Sequence, residues 1–263
     1  MLRKTLLASC VSLAAIAVST AAGAQDRVVN VYNWSDYIDD SILEDFTKET
    51  GIKVVYDVYD SNEILETKLL AGGSGYDVVV PSGEFLGRQI SAGVFQKLDK
   101  DKLPNLSNMW DMINEQVAVY DPGNEYSINY MWGTTGVGYN VGKAEEILGT
   151  SKIDTWDVMF TPELAAKFKD CGIYMLDSAS EVVRSALIYL GLEPNTPSAE
   201  ELAKAEELLM AVRPFVRKFH SSEYINGLAN GDICLALGYS GDVFQARDRA
   251  AEADQGVEVG HLA

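Results

Sequence analysis

Three apolar extended runs, "RVVNVYN" (27–33), "IKVVYDVYD" (52–60) and "YDVVVPS" (76–82), are separated by two helical stretches. This alternation restricts the fold more than any other feature, because strand–helix–strand–helix–strand order is met by a parallel sheet with right-handed crossovers. In the first helical stretch, "SILEDFTKET", Ser41 with Glu44 three residues on predicts a capping box, and Gly51 predicts the stop. In the second, "SNEILETKLLAGG", Ile64, Leu65, Leu69 and Leu70 fall on one face. The third run is apolar enough to be expected buried on both sides.

The middle of the chain changes character. "NEYSINYMWGTTGVGYNVGKAEEILG" (124–149) holds two strand-like pieces around Gly133-Thr134-Thr135-Gly136, a composition suited to a crossing between domains. Beyond it the alternation resumes. Strands are expected in "CGIYMLDS", "PFVRKF" and "DICLALGYS", and helices in "EVVRSALIYLG", "SAEELAKAEELLMAVR", "SSEYINGLANG" and "GDVFQARDRAAEA". The expectation is an α/β protein of two lobes, residues 25–135 and 136–255, with the crossing between Gly133 and Asn140. The last run, "GVEVGHLA" (256–263), reads as a strand without partner elements, the start of a return crossover, and so predicts an incomplete chain.

The first residues form a separate unit. Arg3 and Lys4 precede an apolar stretch from Leu6 to about Val18, and Ala22-Gly23-Ala24 follows. This is a secretory signal peptide, residues 1–24, with cleavage expected after Ala24. Leu7-Ala8-Ser9-Cys10 offers a lipoprotein box instead, but with an h-region of only a few residues. Export brings an oxidising compartment, in which Cys171 and Cys234, each beside a predicted strand, form either one disulfide or two buried thiols. Removing Arg3 and Lys4 takes the basic count from 21 to 19 against 39 acidic residues, so the net charge moves from −18 to −20. Such a chain is a poor partner for nucleic acid or anionic membranes and suits a cationic ligand, although acidity also serves solubility. His220 and His261, the only histidines, lack the spacing of a metal site.

In open α/β sheets ligands sit beyond the carboxyl ends of strands. Four strand-to-helix junctions therefore belong together: "NWSDY" (33–37), "PSGEF" (81–85), "LDSASE" (176–181) and "GYSGDVF" (238–244). Each carries a carboxylate and a hydroxyl, which helix capping alone explains. Capping does not explain Trp34 beside Tyr37, or Tyr239 beside Asp242. Rings plus carboxylates around one cleft make a cage for an ammonium group. Catalysis finds less support: Ser82 and Ser240 are conceivable hydrolase nucleophiles without a placed base, and Gly136-Val137-Gly138 does not complete a dinucleotide motif. An amino-acid carrier needs an arginine for the α-carboxylate, and no junction contains one; Arg88 and Arg184 fall within predicted helices.

The segments "VYNWSDYI", "FTKETGIKVVYDVYDSNEILETKLLAG", "YDVVVPS", "AGVFQKLDKDKLPNL", "YMWGTTGVGYNV" and "FHSSEYINGLANGDICLALGYSGDVFQA" resemble the periplasmic polyamine-binding proteins of ABC transporters, the putrescine-binding ones above all. The resemblance implies a two-lobed periplasmic binding protein fold (type II-like), each lobe a sheet flanked by helices, with its C-terminal part missing here. It implies a monomer in the periplasm that captures putrescine or spermidine and delivers it to an inner-membrane permease, without cofactor, metal or catalysis. By the same resemblance Trp34 and Tyr37 are ring walls from the first lobe, with Ser35 and Asp36 on the same loop and Ser82 closing that side. Glu181 and Ser221 come from the second lobe, and Asp242 binds one ammonium. The family's cysteines matching Cys171 and Cys234 are disulfide-linked. Two positions depart from the pattern: Tyr239 stands where relatives have tryptophan, and Gly83-Glu84 follows Ser82 where small neutral residues are usual, putting an extra acid at the pocket mouth.

Overall fold

The structure is a computed structural model describing residues 27–263, so the leader, its Ala24 boundary and the Leu7–Cys10 box lie outside the described residues. The first lobe is built on β1 (Val28–Trp34), α1 (Asp40–Thr50), β2 (Lys53–Tyr59), α2 (Asn62–Leu70), β3 (Val78–Val79), α3 (Gly83–Ser91) and α4 (Asp111–Val117). β1 is central, with β2 and β3 both parallel to it, as the strand–helix alternation requires.

The second lobe follows as β4 (Thr135–Asn140), α5 (Val141–Leu148), α6 (Asp157–Phe160), α7 (Pro162–Phe168), β5 (Ile173–Met175), α8 (Ala179–Tyr189), α9 (Ala199–Val212), β6 (Val216–Phe219), α10 (Glu223–Ala229), β7 (Leu235–Tyr239), α11 (Ser240–Ala253) and β8 (Val259–Leu262). Its sheet runs β6-β5-β7-β4-β8. β5 is parallel to β6 and β7, whereas β4 is antiparallel to β7 and β8.

Several expectations need correction. The first helix is capped by Asp39, whose extended backbone lets its carboxylate accept from the Ser41 amide at 2.9 Å; Ser41 is already inside the helix. Gly51 ends it in the left-handed conformation, φ 68°, as expected. On α2 only Leu65 of the four apolar residues is fully buried, while Ile64 and Leu70 are more than half exposed. β3 is two residues long and Val78 is 48% exposed, because this strand has a single neighbour and lies at the sheet edge. "NEYSINYMW" contains no strand. It crosses between sheets with its first amides donating to Asp121 and the Tyr130 hydroxyl donating to the Tyr37 carbonyl. The strand expected to lack partners, β8, pairs with β4 from Val137↔Leu262 to Asn140↔Val259, and Phe244 of α11 meets the His261 ring edge-on.

The two lobes bury very different cores. The second packs a large aliphatic and aromatic interior that includes Val137, Phe160, Phe168, Ile173, Met175, Leu228, Leu235 and Leu237. The first packs Tyr32, Trp34, Tyr59 and Leu65, a core in which the Tyr59 ring meets Tyr32 edge-on and Trp34 at a tilt. An aromatic cluster fills volume with few rotatable bonds, which suits a small lobe that presents rings at its edge.

Cys171 and Cys234 are joined as a disulfide, with Cα atoms 5.6 Å apart, so the free-thiol alternative falls away. They lie just before β5 and β7, parallel neighbours paired from Ile173↔Leu235, and the Cys234 amide donates to the Gly172 carbonyl at 3.0 Å. Closing a loop across a separation of 63 residues restricts the unfolded chain by roughly 4 kcal/mol in the loop-entropy picture. Replacing both cysteines by serine should therefore lower the unfolding free energy by a few kcal/mol, measured in urea under non-reducing conditions. An unchanged midpoint would show that the bond adds nothing to stability.

Candidate ligand-binding cleft

The carboxyl ends of β1 and β7 meet across the cleft. Trp34 ends β1 and is buried; its indole Nε1 donates to the Val80 carbonyl at 2.8 Å, and the Tyr59 hydroxyl donates to the same oxygen. Tyr59 is opposite Trp34 in the β1–β2 register, its ring centroid 4.8 Å away. Tyr37 lies 6.1 Å from Trp34 on one side, and Tyr239, from the other lobe, meets Trp34 edge-on at 6.5 Å. Both tyrosines have their hydroxyl pKa raised by burial first, then by neighbouring acids: Asp242 for Tyr37, and Glu181, Asp242 and Glu84 for Tyr239. These phenols stay neutral and keep electron-rich faces.

Asp242 sits in the first turn of α11 and is almost wholly buried. Its carboxylate accepts from the Tyr224 hydroxyl, and the Tyr37 side chain of the other lobe lies close enough for each to shift the other's pKa. Among the described residues it forms no ion pair. Burial raises its pKa to about 6; the two tyrosine hydroxyls oppose the shift, Asp36 adds to it, and Arg249 opposes it weakly. Tyr224 was missed in the sequence, yet it organises this corner, since its oxygen also accepts from the Tyr239 amide at 2.9 Å. Its ring is fully buried against Gly238, where a Cβ would stand 2.4 Å from the Tyr224 ring. Only glycine at 238 lets β7 pass that close.

The other predicted residues separate into groups. Ser82 receives Asn62 Nδ2 at 3.0 Å and donates its amide to Asn62 Oδ1 at 2.9 Å, so α2 fixes the entry to α3. Glu181 accepts from the Thr135 hydroxyl at 2.7 Å, and Thr135 is the register partner of Tyr239. Ser35 donates to Asp60 at 3.0 Å, and the same Asp60 oxygen accepts from Ser222 of the second lobe at 2.7 Å. Ser221 is buried beneath the cleft, accepting from the Asp177 amide at the end of β5. Asp36 adopts φ 62°, a left-handed turn that aspartate tolerates, and pairs with Arg249 of α11.

No junction contains an arginine, as expected, and Arg88 and Arg184 lie within helices, yet arginines reach the junction acids from the helix bodies. Arg184 of α8 pairs with Glu84 of α3 and lies 3.7 Å from Glu181, and the Ser180 hydroxyl also donates to Glu84. Both guanidinium groups are occupied by carboxylates, which leaves neither free for an incoming anion.

The capping explanation can be tested directly. Asp39, Ser61, Asn140 and Ser198 cap their helices with side-chain hydrogen bonds. The three helices that open on the cleft, α3, α8 and α11, have no side-chain cap. Ser82, Glu181 and Asp242 thus spend their polar atoms elsewhere. Holding the Asp242 carboxyl at about 6 instead of 3.8 corresponds to on the order of 3 kcal/mol disfavouring its charge in the folded protein. The folded pKa is raised, so that stability is fully present below pH 4 and lost as pH rises through about 6. Asp242→Asn should make the ligand-free protein more stable than wild type at pH 7.5, by about 1–3 kcal/mol. The gap should close below pH 4 in a urea series across pH. Separately, Gly238→Ala should destabilise by roughly 1–3 kcal/mol through the Tyr224 clash, read as a lowered melting temperature.

Comparison with known proteins agrees with this architecture. The family profile for bacterial extracellular solute-binding proteins matches residues 41–263. The chain is 56% identical over 257 residues to SpuD, a putrescine-binding periplasmic protein of Pseudomonas aeruginosa (strain UCBPP-PA14), covering 97% of this chain and 70% of that protein. It is 52% identical over 250 residues to PotF, the putrescine-binding periplasmic protein of Escherichia coli (strain K12), covering 94% and 67% respectively. Its structure is similar to the TpPotD lipoprotein of Treponema pallidum, with a TM-score of 0.73 at 32% identity over 89% of this chain and 69% of that one. A profile that spans most of the chain, together with relatives above half identity, shows that it belongs to the bacterial extracellular solute-binding protein family.

Proposed function

We propose that this protein is the periplasmic solute-capturing component of an ABC importer, taking a polyamine in the cleft between its lobes and passing it to an inner-membrane permease. Putrescine is favoured, in line with the names of the similar SpuD and PotF proteins, and spermidine is the alternative. The observation that carries the reading is Asp242: a buried carboxylate with no ion pair among the described residues, hydrogen-bonded by Tyr224 and close enough to Tyr37 and Tyr239 to raise the pKa of both. A buried charge left unpaired is costly unless its partner arrives from solution. An ammonium group supplies that partner, while the rings hold the cation and the methylene chain.

In this reading Trp34, Ser35, Asp36, Tyr37, Ser82, Glu181, Ser221, Tyr239 and Asp242 form or frame the binding site. Asp36 acts through its bridge to Arg249 and Ser221 through the end of β5. Residues 25–135 and 136–255 act as the closing halves, a hinge closure of the kind binding proteins use. An exported hydrolase is the reading from another class. The nearest arrangement to a catalytic one is Ser222, His220 and Glu223, where His220 Nδ1 lies 3.4 Å from the serine hydroxyl. That nitrogen already accepts from the Ser222 and Glu223 amides, and the serine proton goes to Asp60, so the ring is a helix-end acceptor and not a base.

Calorimetric titration with putrescine, spermidine and glutamate tests the proposal. Polyamine binding is expected, lost by ~10²-fold or more in Asp242→Ala and weakened roughly tenfold in Trp34→Ala. No polyamine heat from folded protein, or turnover of an ester substrate, would sink the reading. The pH dependence has a definite sign. Asp242 must be ionised to pair an ammonium, so affinity should be flat above pH 6 and fall about tenfold per pH unit below it, as the proton competes.

A further inference from the structure

We propose that Arg184 is a specificity residue that limits the ligand to two charged nitrogens; this rests on the polyamine reading above. The acids of the cleft form two unequal ends. At one end Asp242 has no ion pair among the described residues. At the other, Thr135, the β-register partner of Tyr239, donates to Glu181, and Arg184 lies between Glu181 and Glu84. Tyr239, which meets Trp34 edge-on, feels the acids of both ends, Glu181 and Glu84 from one and Asp242 from the other.

Charge counting separates the ends. Two carboxylates share one guanidinium at the far end, which leaves a net charge of −1 there and −1 at Asp242; Asp60, a third acid between the lobes, is held by the Ser35 and Ser222 hydroxyls. A diamine matches this pattern. A third ammonium directed at Glu84 or Glu181 meets Arg184 instead, and two like charges in contact repel strongly at the low effective dielectric of a closed cleft. Rejection by a resident like charge is a recurrent way to obtain specificity. Arg184 is also held in place. Its Nε donates to Asn195 at 3.0 Å from the solvent side, and its side chain is 29% exposed, so swinging away means breaking contacts on both sides. Glu84 comes from the first lobe and Arg184 from the second, so the gate is assembled only when the lobes meet. The acid that departs from the family pattern, Glu84, then serves to seat the arginine and not to bind ligand.

The test is the ratio of spermidine to putrescine affinity, measured by calorimetry on the full-length protein, in Arg184→Gln and Arg184→Lys. Glutamine removes the charge and should raise the ratio at least tenfold, chiefly by strengthening spermidine. Lysine keeps the charge and should hold the ratio within about threefold of wild type. An unchanged ratio in the glutamine variant overturns the proposal, and so does a lysine variant that relaxes as far as glutamine, which would make shape and not charge the determinant. If wild type binds neither polyamine, the functional reading itself has failed and the gate falls with it. Binding of both ligands with an unmoved ratio removes the gate alone.

Discussion

The cleft depends on one strained electrostatic arrangement: a carboxylate removed from water and given hydroxyls instead of a cation. Tyr224 supplies the permanent hydrogen bond to Asp242 and also receives the Tyr239 amide, so one phenol positions both the acid and the ring beside it. That phenol lies where it does because Gly238 offers no side chain to obstruct it. A backbone choice on β7 is thus transmitted through an aromatic ring to the charge at the start of α11. Folding stability is given up at this point, in the way binding sites commonly trade it for a poised group.

Closure is organised by a second principle. Acids of the first lobe, Asp36, Asp60 and Glu84, accept from Arg249, Ser222 and Arg184 of the second. The two surfaces recognise one another by charge and hydroxyl donors without using Asp242. Lobe contact and the proposed site therefore share side chains, Asp36, Ser35 and the Trp34–Tyr239 pair among them, while Asp242 carries no ion pair among the described residues. Such pairs are partly exposed and screened by salt, so each contributes modestly, and several together fix the geometry of approach.

Much of this was legible in the sequence, for identifiable reasons. The β-branched runs and their helical spacers gave parallel pairing of β1, β2 and β3, and the strand beginnings at Cys171 and Cys234 allowed a disulfide between neighbours. Trp34 and Tyr37 were visible because rings at a strand end have no capping role. Tyr224 was not, since an aromatic residue on an amphipathic helix looks like ordinary core until its hydroxyl is placed. Asp60 was passed over for the opposite reason, being one more acid in an acidic chain. The contacts of the arginines were not legible because a long side chain reaches well beyond the element that bears it: Arg184 and Arg249 leave helix bodies and end at junctions. Burial on α2 and β3 is less than the pattern predicts because periodicity reports a potential face, not whether anything packs on it.

The disulfide sits at the amino ends of β5 and β7, while the site lies at their carboxyl ends. Two parallel strands tied at one end cannot slide against each other, so Leu176 to Glu181 and Tyr239 to Asp242 leave the sheet at a set level. The dimensions of the cleft are in this sense calibrated by an oxidation event remote from it. A copy folded under reducing conditions has the same side chains and a looser gauge between them.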